Sequence, residues 1–167
     1  MQPYQDSQLI PLVKRLADSL IRHHYKLVTN ESCTGGWLAK CCTEISGSSQ
    51  WFNGGLICYD NTLKQRWSGV PETTLSQHGA VSSATAIAMA HGVLNNSGAD
   101  VAIATTGIAG PTGATDDKPV GTVFIAVAIN QGKTVTKSHL FQGDRIAVRY
   151  QTVEQALQLA MKTLEQQ

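Results

Sequence analysis

The stretch of the chain richest in chemical groups is a short polar turn, Glu-Ser-Cys-Thr-Gly-Gly, at residues 31–36. It stands between an apolar, β-branched run at residues 26–29 and a segment of helical period that begins at Trp37, which is typical of a strand that leads into a helix. Because the first turn of a helix has unpaired N–H groups and a partial positive charge, we expect the amides of residues 34–36 to attract a phosphate or a carboxylate. The alternative is that a hydroxyl of the turn, such as that of Ser32, only caps the helix.

The same turn carries a cysteine, Cys33, and three further cysteines follow it along the chain. None of the four forms a CxxC pair or a Cys/His spacing suited to zinc, so we predict reduced thiols and no metal site. A thiol at a helix start can have a lowered pKa and act as a nucleophile. No histidine partner for Cys33 is evident from the sequence, and a serine nucleophile is therefore favoured.

Length and charge narrow the classes of protein. A chain of 167 residues suits one domain with one core, here residues 1–167. Its formal net charge is +1, with lysine and arginine scattered along the chain, so we expect no nucleic-acid partner. The sequence has no signal peptide and no apolar run long enough to span a bilayer, which predicts a soluble, cytoplasmic protein without a membrane partner.

Hydrophobic periodicity predicts the elements that hold these groups. We predict helices over residues 6–23, 37–45, 61–67, 73–78, 84–95 and 144–164, and strands over residues 26–29, 51–59, 100–106, 120–129 and 134–141. This order is typical of a single three-layer α/β/α sandwich with a mixed β-sheet and helices on both faces. Ligands of such folds bind at the carboxyl ends of the strands. Gly54 and Gly55, inside a predicted strand, indicate a bulge or a close backbone approach.

Seven motifs, taken together, resemble the CinA C-terminal domain family. They are Glu-Ser-Cys-Thr-Gly-Gly at 31–36, Gly-Ser-Ser at 47–49, Tyr-x-Asn-x-x-Lys at 59–64, His-Gly-Ala-Val-Ser at 78–82, Thr-Gly-Ile-Ala-Gly-Pro at 106–111, Lys-Pro-Val-Gly-Thr at 118–122 and Gly-Asp-Arg at 143–145. They follow one another in unbroken order from about Leu9 to the end of the chain. The resemblance implies an amidohydrolase that converts nicotinamide mononucleotide and water into nicotinic acid mononucleotide and ammonia, in pyridine nucleotide recycling. It also implies catalysis of a Ser/Lys type, with no metal and no cofactor.

The resemblance assigns the catalytic groups. A serine hydroxyl needs a base, and a lysine can serve if burial or a nearby positive charge lowers its pKa. Lys64 is the candidate base. We predict Ser49 as the nucleophile, because it precedes the strand that leads to Tyr59 and Lys64, and we keep Ser48 and Ser32 as alternatives. Tyr59 relays a proton or holds Lys64.

A second group of residues is expected to bind the substrate. Asn61 is expected to position the carboxamide, and Arg145 to bind the phosphate as a bidentate partner unless it pairs with Asp144 or Asp117 instead. Glycines let the backbone approach a phosphate closely. The full predicted set comprises Thr34, Gly35, Gly36, Gly47, Asn61, Thr106, Gly107, Gly110 and Arg145.

Two other functions and one assembly state are also considered. A non-catalytic nucleotide-binding or regulatory module is the first alternative, and an interaction protein associated with competence or recombination is the second. The chain departs from the commonest sequence of the family at Asn30, where a small residue is more usual. This difference bears on substrate preference. The predicted strand at residues 134–141 is partly polar, as at a sheet edge, and we predict a homodimer that forms along such an edge.

Overall fold

A computed structural model describes residues 4–166 of the chain. The helices are α1 (Asp6–Arg22), α2 (Trp37–Thr43), α3 (Asn61–Ser68), α4 (Glu72–His78), α5 (Ser83–Ser97) and α6 (Arg145–Glu165), and a 3-10 turn spans Ser48–Gln50. The strands are β1 (Leu27–Glu31), β2 (Phe52–Ile57), β3 (Val101–Gly107), β4 (Thr122–Ile129) and β5 (Thr134–Leu140). Each predicted element is therefore present, with ends that differ by at most two residues.

The five strands form one mixed sheet in the order β2-β1-β3-β4-β5. Strand β1 is parallel to both β2 and β3, whereas β4 and β5 are antiparallel to their neighbours. The continuous apolar runs of β3 and β4 lie inside the sheet, as expected for strands covered on both faces. Strand β5 lies at an edge, as its partly polar pattern predicts.

Helices cover both faces of the sheet and confirm the three-layer sandwich. One face packs against α6 and α2, with α1 lying on those two helices, and its core includes Leu16, Trp51 and Val153. The other face packs against α5, on which α3 and α4 lie, and its core includes Met89 and Ala104. Within residues 4–166, none of the helices combines the length and the apolar character needed to cross a bilayer.

The glycines of β2 serve the contact with β1. The pairing of the two strands slips between Leu27 and Val28, which is the bulge that the sequence predicts. A Cβ atom on Gly55 would lie 2.3 Å from the hydroxyl oxygen of Thr29. Only a residue without a side chain leaves room for the Thr29 side chain here.

The polar turns lie together where the parallel strands end, which is called here the carboxyl edge of the sheet. The carboxyl ends of the parallel strands β1, β2 and β3 meet there, followed by the turn that begins at Ser32, by Tyr59 and by the loop after Gly107. The antiparallel strand β5 ends at the same edge, since Leu140 pairs with Thr122. Helices α3 and α6 consequently begin there, and the fold places Lys64 and Arg145 beside these turns.

Candidate active site

Lys64 and Ser32 meet at this edge. The ammonium of Lys64, on α3, donates to the hydroxyl oxygen of Ser32 at 3.1 Å and to the carbonyl oxygen of Tyr59 at 2.7 Å. Lys64 is only 2% exposed and Ser32 only 7%. The cap of α3, Asp60, accepts from the amide of Thr62 and so fixes the helix that carries the lysine.

The surroundings of Lys64 favour its neutral form. Burial lowers the pKa of Lys64 below its ordinary value, and the charges that Cys58 and Asp60 can carry oppose this shift. Among residues 4–166, no carboxylate lies within ion-pair distance of the ammonium. A lysine in this state can accept the proton of a hydroxyl group that already lies at hydrogen-bond distance.

The structure does not bring Ser49, or its neighbours Ser48 and Gly47, together with Lys64. The Ser48–Gln50 turn precedes β2, so it lies at the amino end of that strand, whereas Tyr59 and Lys64 follow its carboxyl end. A strand of six residues spans roughly 20 Å. The carbonyl oxygen of Ser49 accepts from the ammonium of Lys26 at 2.9 Å, also at the amino edge. Of the three candidate serines, Ser32 alone contacts Lys64.

Tyr59 and Arg145 extend the site toward solvent. The guanidinium of Arg145, at the start of α6, donates to the carbonyl oxygen of Gly110 at 2.8 Å and lies 3.5 Å from the hydroxyl of Tyr59. Tyr59 is 61% exposed. Asp144 does not pair with Arg145 but caps α6 by accepting from the amide of Ala147. The structure thus brings Lys64, Ser32, Tyr59, Arg145 and Gly110 together, with the exposed Asn61 opening α3 at the same edge.

The amides of Gly35 and Gly36 are not free as expected, because groups of the chain itself accept from them. Glu31, fully buried at the end of β1, accepts from the amides of Gly36, Leu38 and Ala39 at 2.8–3.1 Å. The amide of Gly35 donates to the carbonyl oxygen of Ser32. The first turn of α2 is thus closed to a phosphate, and the chain itself supplies the anion that a helix N-terminus attracts.

Three further residues of the predicted binding set have structural roles. The hydroxyl of Thr34 is buried against that of Thr105 at 2.8 Å. The hydroxyl of Thr106 donates to the carbonyl oxygen of Ala80 at 2.7 Å. Gly107 is required by packing, because a Cβ atom there would lie 2.6 Å from the side chain of Val123. These contacts support the strand ends.

Arg149 is a site neighbour that the sequence reasoning missed. Its guanidinium donates to the carbonyl oxygen of Thr34 at 2.7 Å and lies 5.2 Å from the ring centre of Trp37. The sequence indicates this residue only through its spacing, because Arg149 lies one helical turn after Arg145 on a predicted helix. Arg149 thus contacts the Ser32 turn, and Arg145, on the same face of α6, contacts Gly110 and Tyr59.

A buried polar network links the two elements that carry Ser32 and Lys64. The amide group of Asn30, on β1, donates to the hydroxyl of Ser68, on α3, at 2.6 Å and to the carbonyl oxygen of Met89 at 2.9 Å. The hydroxyl of Ser68 in turn donates to the sulfur of Cys58 at 3.2 Å. All three side chains are fully buried. Asn30, the departure noted in the sequence, therefore ties the strand of the serine to the helix of the lysine.

Cys33 does not have the lowered pKa that its position suggested. Burial raises the pKa of its thiol to about 12, so the thiolate form is scarce at neutral pH. Within residues 4–166, no three His, Cys, Asp or Glu side chains are grouped so as to hold a metal ion.

The fold and the site define an α/β sandwich protein with a buried serine–lysine pair at the carboxyl edge of its sheet. The model of the CinA C-terminal domain family matches residues 10–164, and the chain belongs to that family. The chain is 46% identical over 153 residues to the nicotinamide-nucleotide amidohydrolase PncC of Escherichia coli (strain K12), covering 92% of this chain and 93% of the relative. It is 50% identical over 131 residues to a CinA-like protein of Geobacter sulfurreducens, of which it covers 32%.

Solved structures share the fold. The competence/damage inducible protein CihA of Agrobacterium tumefaciens superimposes with a TM-score of 0.91 and 37% identity, with 99% of both chains covered. A CinA superfamily protein of Klebsiella pneumoniae gives a TM-score of 0.91 and 35% identity, with 95% of this chain and 98% of that chain covered.

Proposed function

We propose that this chain is a nicotinamide-nucleotide amidohydrolase, which hydrolyses the carboxamide of nicotinamide mononucleotide to nicotinic acid mononucleotide and ammonia in pyridine nucleotide recycling. The observation that carries the proposal is the 3.1 Å hydrogen bond between the buried ammonium of Lys64 and the hydroxyl of Ser32. The 46% identity to a relative named for this activity, across nearly its whole length, supports the same substrate.

In the proposed mechanism Ser32 is the nucleophile and Lys64 the general base. Neutral Lys64 takes the hydroxyl proton as the serine oxygen attacks the carboxamide carbon. The protonated lysine then gives that proton to the departing nitrogen, which leaves as ammonia, and an ester with Ser32 remains. Water, deprotonated by Lys64, hydrolyses the ester, and the proton returns to the Ser32 oxygen, so the carboxylate product and the free enzyme are formed.

The neighbouring residues position these groups in the proposal. The carbonyl oxygen of Tyr59 fixes the lysine side chain at 2.7 Å. Asn61 positions the carboxamide, and Arg145, which has no carboxylate partner among residues 4–166, binds the phosphate. The reaction needs no metal and no cofactor in this scheme, because Lys64 moves the protons and Ser32 supplies the nucleophile. EDTA should therefore leave turnover unchanged.

The test is ammonia release by the purified protein from nicotinamide mononucleotide, with free nicotinamide as a second substrate. We expect release from the nucleotide only, loss of turnover by at least about a thousandfold in Ser32→Ala, as expected when a nucleophile is removed, and near-normal turnover in Ser49→Ala. The Ser49 variant is the matched control, since it removes a hydroxyl at the opposite edge of the sheet. Loss of turnover in Ser49→Ala with retention in Ser32→Ala would reverse the assignment. Binding without turnover would favour the regulatory module.

We also propose that the protein works in the cytoplasm, contacts neither nucleic acid nor membrane, and forms a homodimer along the free edge of β5. The balanced charge supports the absence of a nucleic-acid partner. The edge position of β5 and the 57% exposure of Leu140 at its end support the assembly.

A further inference from the structure

A groove of about 610 Å³ opens beside the Ser32 turn, between the first turns of α1, α2 and α6. Its lining includes Gly35 and Gly36 of that turn, Trp37, Ile146 and Arg149, together with the charged pair Asp6 and Lys40. The glycines of the turn form part of its wall, so the groove begins next to the proposed nucleophile. The mechanism above makes no use of this groove.

Arg149 is the one uncompensated charge of the groove among residues 4–166. Lys40 forms ion pairs with both Asp6 and Glu44. Arg149 has no carboxylate at ion-pair distance in the same part of the chain. Its buried Nε atom has no hydrogen-bond partner, and the Trp37 ring holds the guanidinium in place. A guanidinium fixed in this way, with donors to spare, suits a phosphate group.

We propose that Arg149 and this groove bind the phosphate of the substrate, jointly with Arg145, and thereby select a mononucleotide over the corresponding nucleoside. This inference rests on the proposed function. The two arginines are one helical turn apart on α6, so their guanidinium groups can reach one dianion from two sides.

Distances along the chain agree with the size of the substrate. Arg149 donates to the carbonyl oxygen of Thr34, two residues after Ser32, and two residues span at most about 7 Å. A phosphate on Arg149 would thus lie on the order of 10 Å from the serine. Bond lengths near 1.5 Å place the carboxamide carbon and the phosphorus of nicotinamide mononucleotide at a similar separation, on the order of 10 Å.

The competing interpretation is that Arg149 only anchors the turn through Thr34. The two interpretations differ in their effect on a substrate without phosphate. Loss of an anchor would displace Ser32 and slow the hydrolysis of nucleotide and nucleoside alike. Loss of a phosphate ligand would slow the hydrolysis of the nucleotide alone, mainly through KM.

The experiment compares kcat/KM for nicotinamide mononucleotide and for nicotinamide riboside in wild type, Arg149→Gln and Arg149→Lys. We expect Arg149→Gln to lower the value for the nucleotide by at least about tenfold, the usual effect of losing a charge-assisted hydrogen bond, with little change for the riboside. Arg149→Lys should have an intermediate kcat/KM for the nucleotide, because lysine keeps the charge but not the two parallel donors of the guanidinium. Arg15→Gln, an exposed change on α1, is the control and should alter neither value.

An equal fall in kcat/KM for both substrates in Arg149→Gln would overturn the proposal and show that Arg149 only anchors the turn. Binding provides a second readout that does not depend on turnover. Calorimetry with nicotinic acid mononucleotide and with nicotinic acid riboside should show that wild type prefers the nucleotide and that Arg149→Gln loses this preference. If wild type bound the nucleotide with this preference but released no ammonia, the amidohydrolase would fail and the phosphate site would stand. If the preference survived in Arg149→Gln, the phosphate site would fail.

Discussion

Lys64 combines two properties that seldom occur together, a basic side chain and almost complete burial. Lysine is among the residues least often buried, and a buried lysine is usually paired with a carboxylate. Here the only hydrogen-bond partners of the Lys64 ammonium among the described residues are the hydroxyl of Ser32 and the carbonyl oxygen of Tyr59. Neither partner compensates a positive charge as a carboxylate would, so the site penalises the ammonium form. A lysine that merely stabilised the fold would gain from the opposite environment.

The pH dependence of turnover follows from this environment. Burial lowers the pKa of Lys64, and only the neutral amine can accept the serine proton. The catalytic rate should therefore rise with pH as Lys64 loses its proton, and the rising limb should lie below the ordinary lysine range. Initial rates of ammonia release across pH 5–10 would measure the position of this rising limb.

Lys64→Arg tests the same point without removing the charge. A guanidinium keeps its proton throughout this pH range, so the variant should lose turnover by at least about a thousandfold and show no rising limb. A variant that kept both its rate and its pH profile would exclude Lys64 as the base. Nucleotide binding should persist in Lys64→Arg, since the proposed phosphate contacts, Arg145 and Arg149, lie on α6.

At the scale of elements, the Ser32 turn is fixed from two directions. Glu31 closes the first turn of α2 from inside the sheet, and the amide of Ser32 donates to the carbonyl oxygen of Thr105 on β3. The network from Asn30 to Ser68 sets the distance between β1 and α3. Gly92 lets α5 lie directly against α3, because a Cβ atom there would be only 1.5 Å from the carbonyl oxygen of Ser68. The serine and the lysine thus meet because these elements are locked together.

Glu31→Gln should loosen this arrangement. The amide side chain has one acceptor oxygen, so it cannot accept from Gly36, Leu38 and Ala39 as the carboxylate does, and its NH₂ group faces donors. We expect a loss of about 2–3 kcal/mol in the free energy of unfolding, the range for a hydrogen bond to a charged group and a donor left unpaired. Urea denaturation followed by circular dichroism would measure the loss.

Glu44→Gln provides the matched control for this change. Glu44 is an exposed carboxylate just after α2 whose partner is Lys40, and surface ion pairs contribute little. We expect it to change the unfolding free energy by less than about 1 kcal/mol. Equal stability of the two variants would show that the Glu31 carboxylate does not hold the turn.

At the scale of the whole molecule, the sequence predicts the fold better than the site. Hydrophobic periodicity records which face of each element is buried, and this is enough to predict five strands between two layers of helices. Ser49 is close to Lys64 along the chain but not in space. A residue before a strand and a residue after it lie at opposite edges of the sheet, so Ser49 and Lys64 are held apart by β2. Ser32 follows a strand parallel to β2 and lies at the correct edge.

The occupied amides of the Ser32 turn show a second limit of prediction from the sequence. A glutamate at the end of an apolar strand can point to either face, and its spacing does not reveal that it will reach the start of α2. The role of Asn30 is hidden for the same reason, because its partners Ser68 and Met89 are 38 and 59 residues away. Such contacts depend on the packing of whole layers and cannot be read from a local pattern.

The homodimer proposed along β5 is tested at this largest scale. Leu140, at the end of β5, is 57% exposed, and an apolar side chain at a free strand edge gains by burial against a second copy. Leu140→Asp should therefore shift the protein from dimer to monomer, because each interface would have to bury two charges related by symmetry. Sedimentation equilibrium over a range of concentrations measures the shift.

Ile21→Asp is the control for this experiment. Ile21 is 42% exposed on α1, and its replacement adds the same charge away from the proposed interface. It should leave the assembly unchanged. If wild type were a monomer, or if both variants dissociated equally, β5 would not be the interface. Because β5 ends at the edge of the sheet that carries Ser32 and Lys64, dissociation of Leu140→Asp with full retention of turnover would further show that each copy holds a complete site.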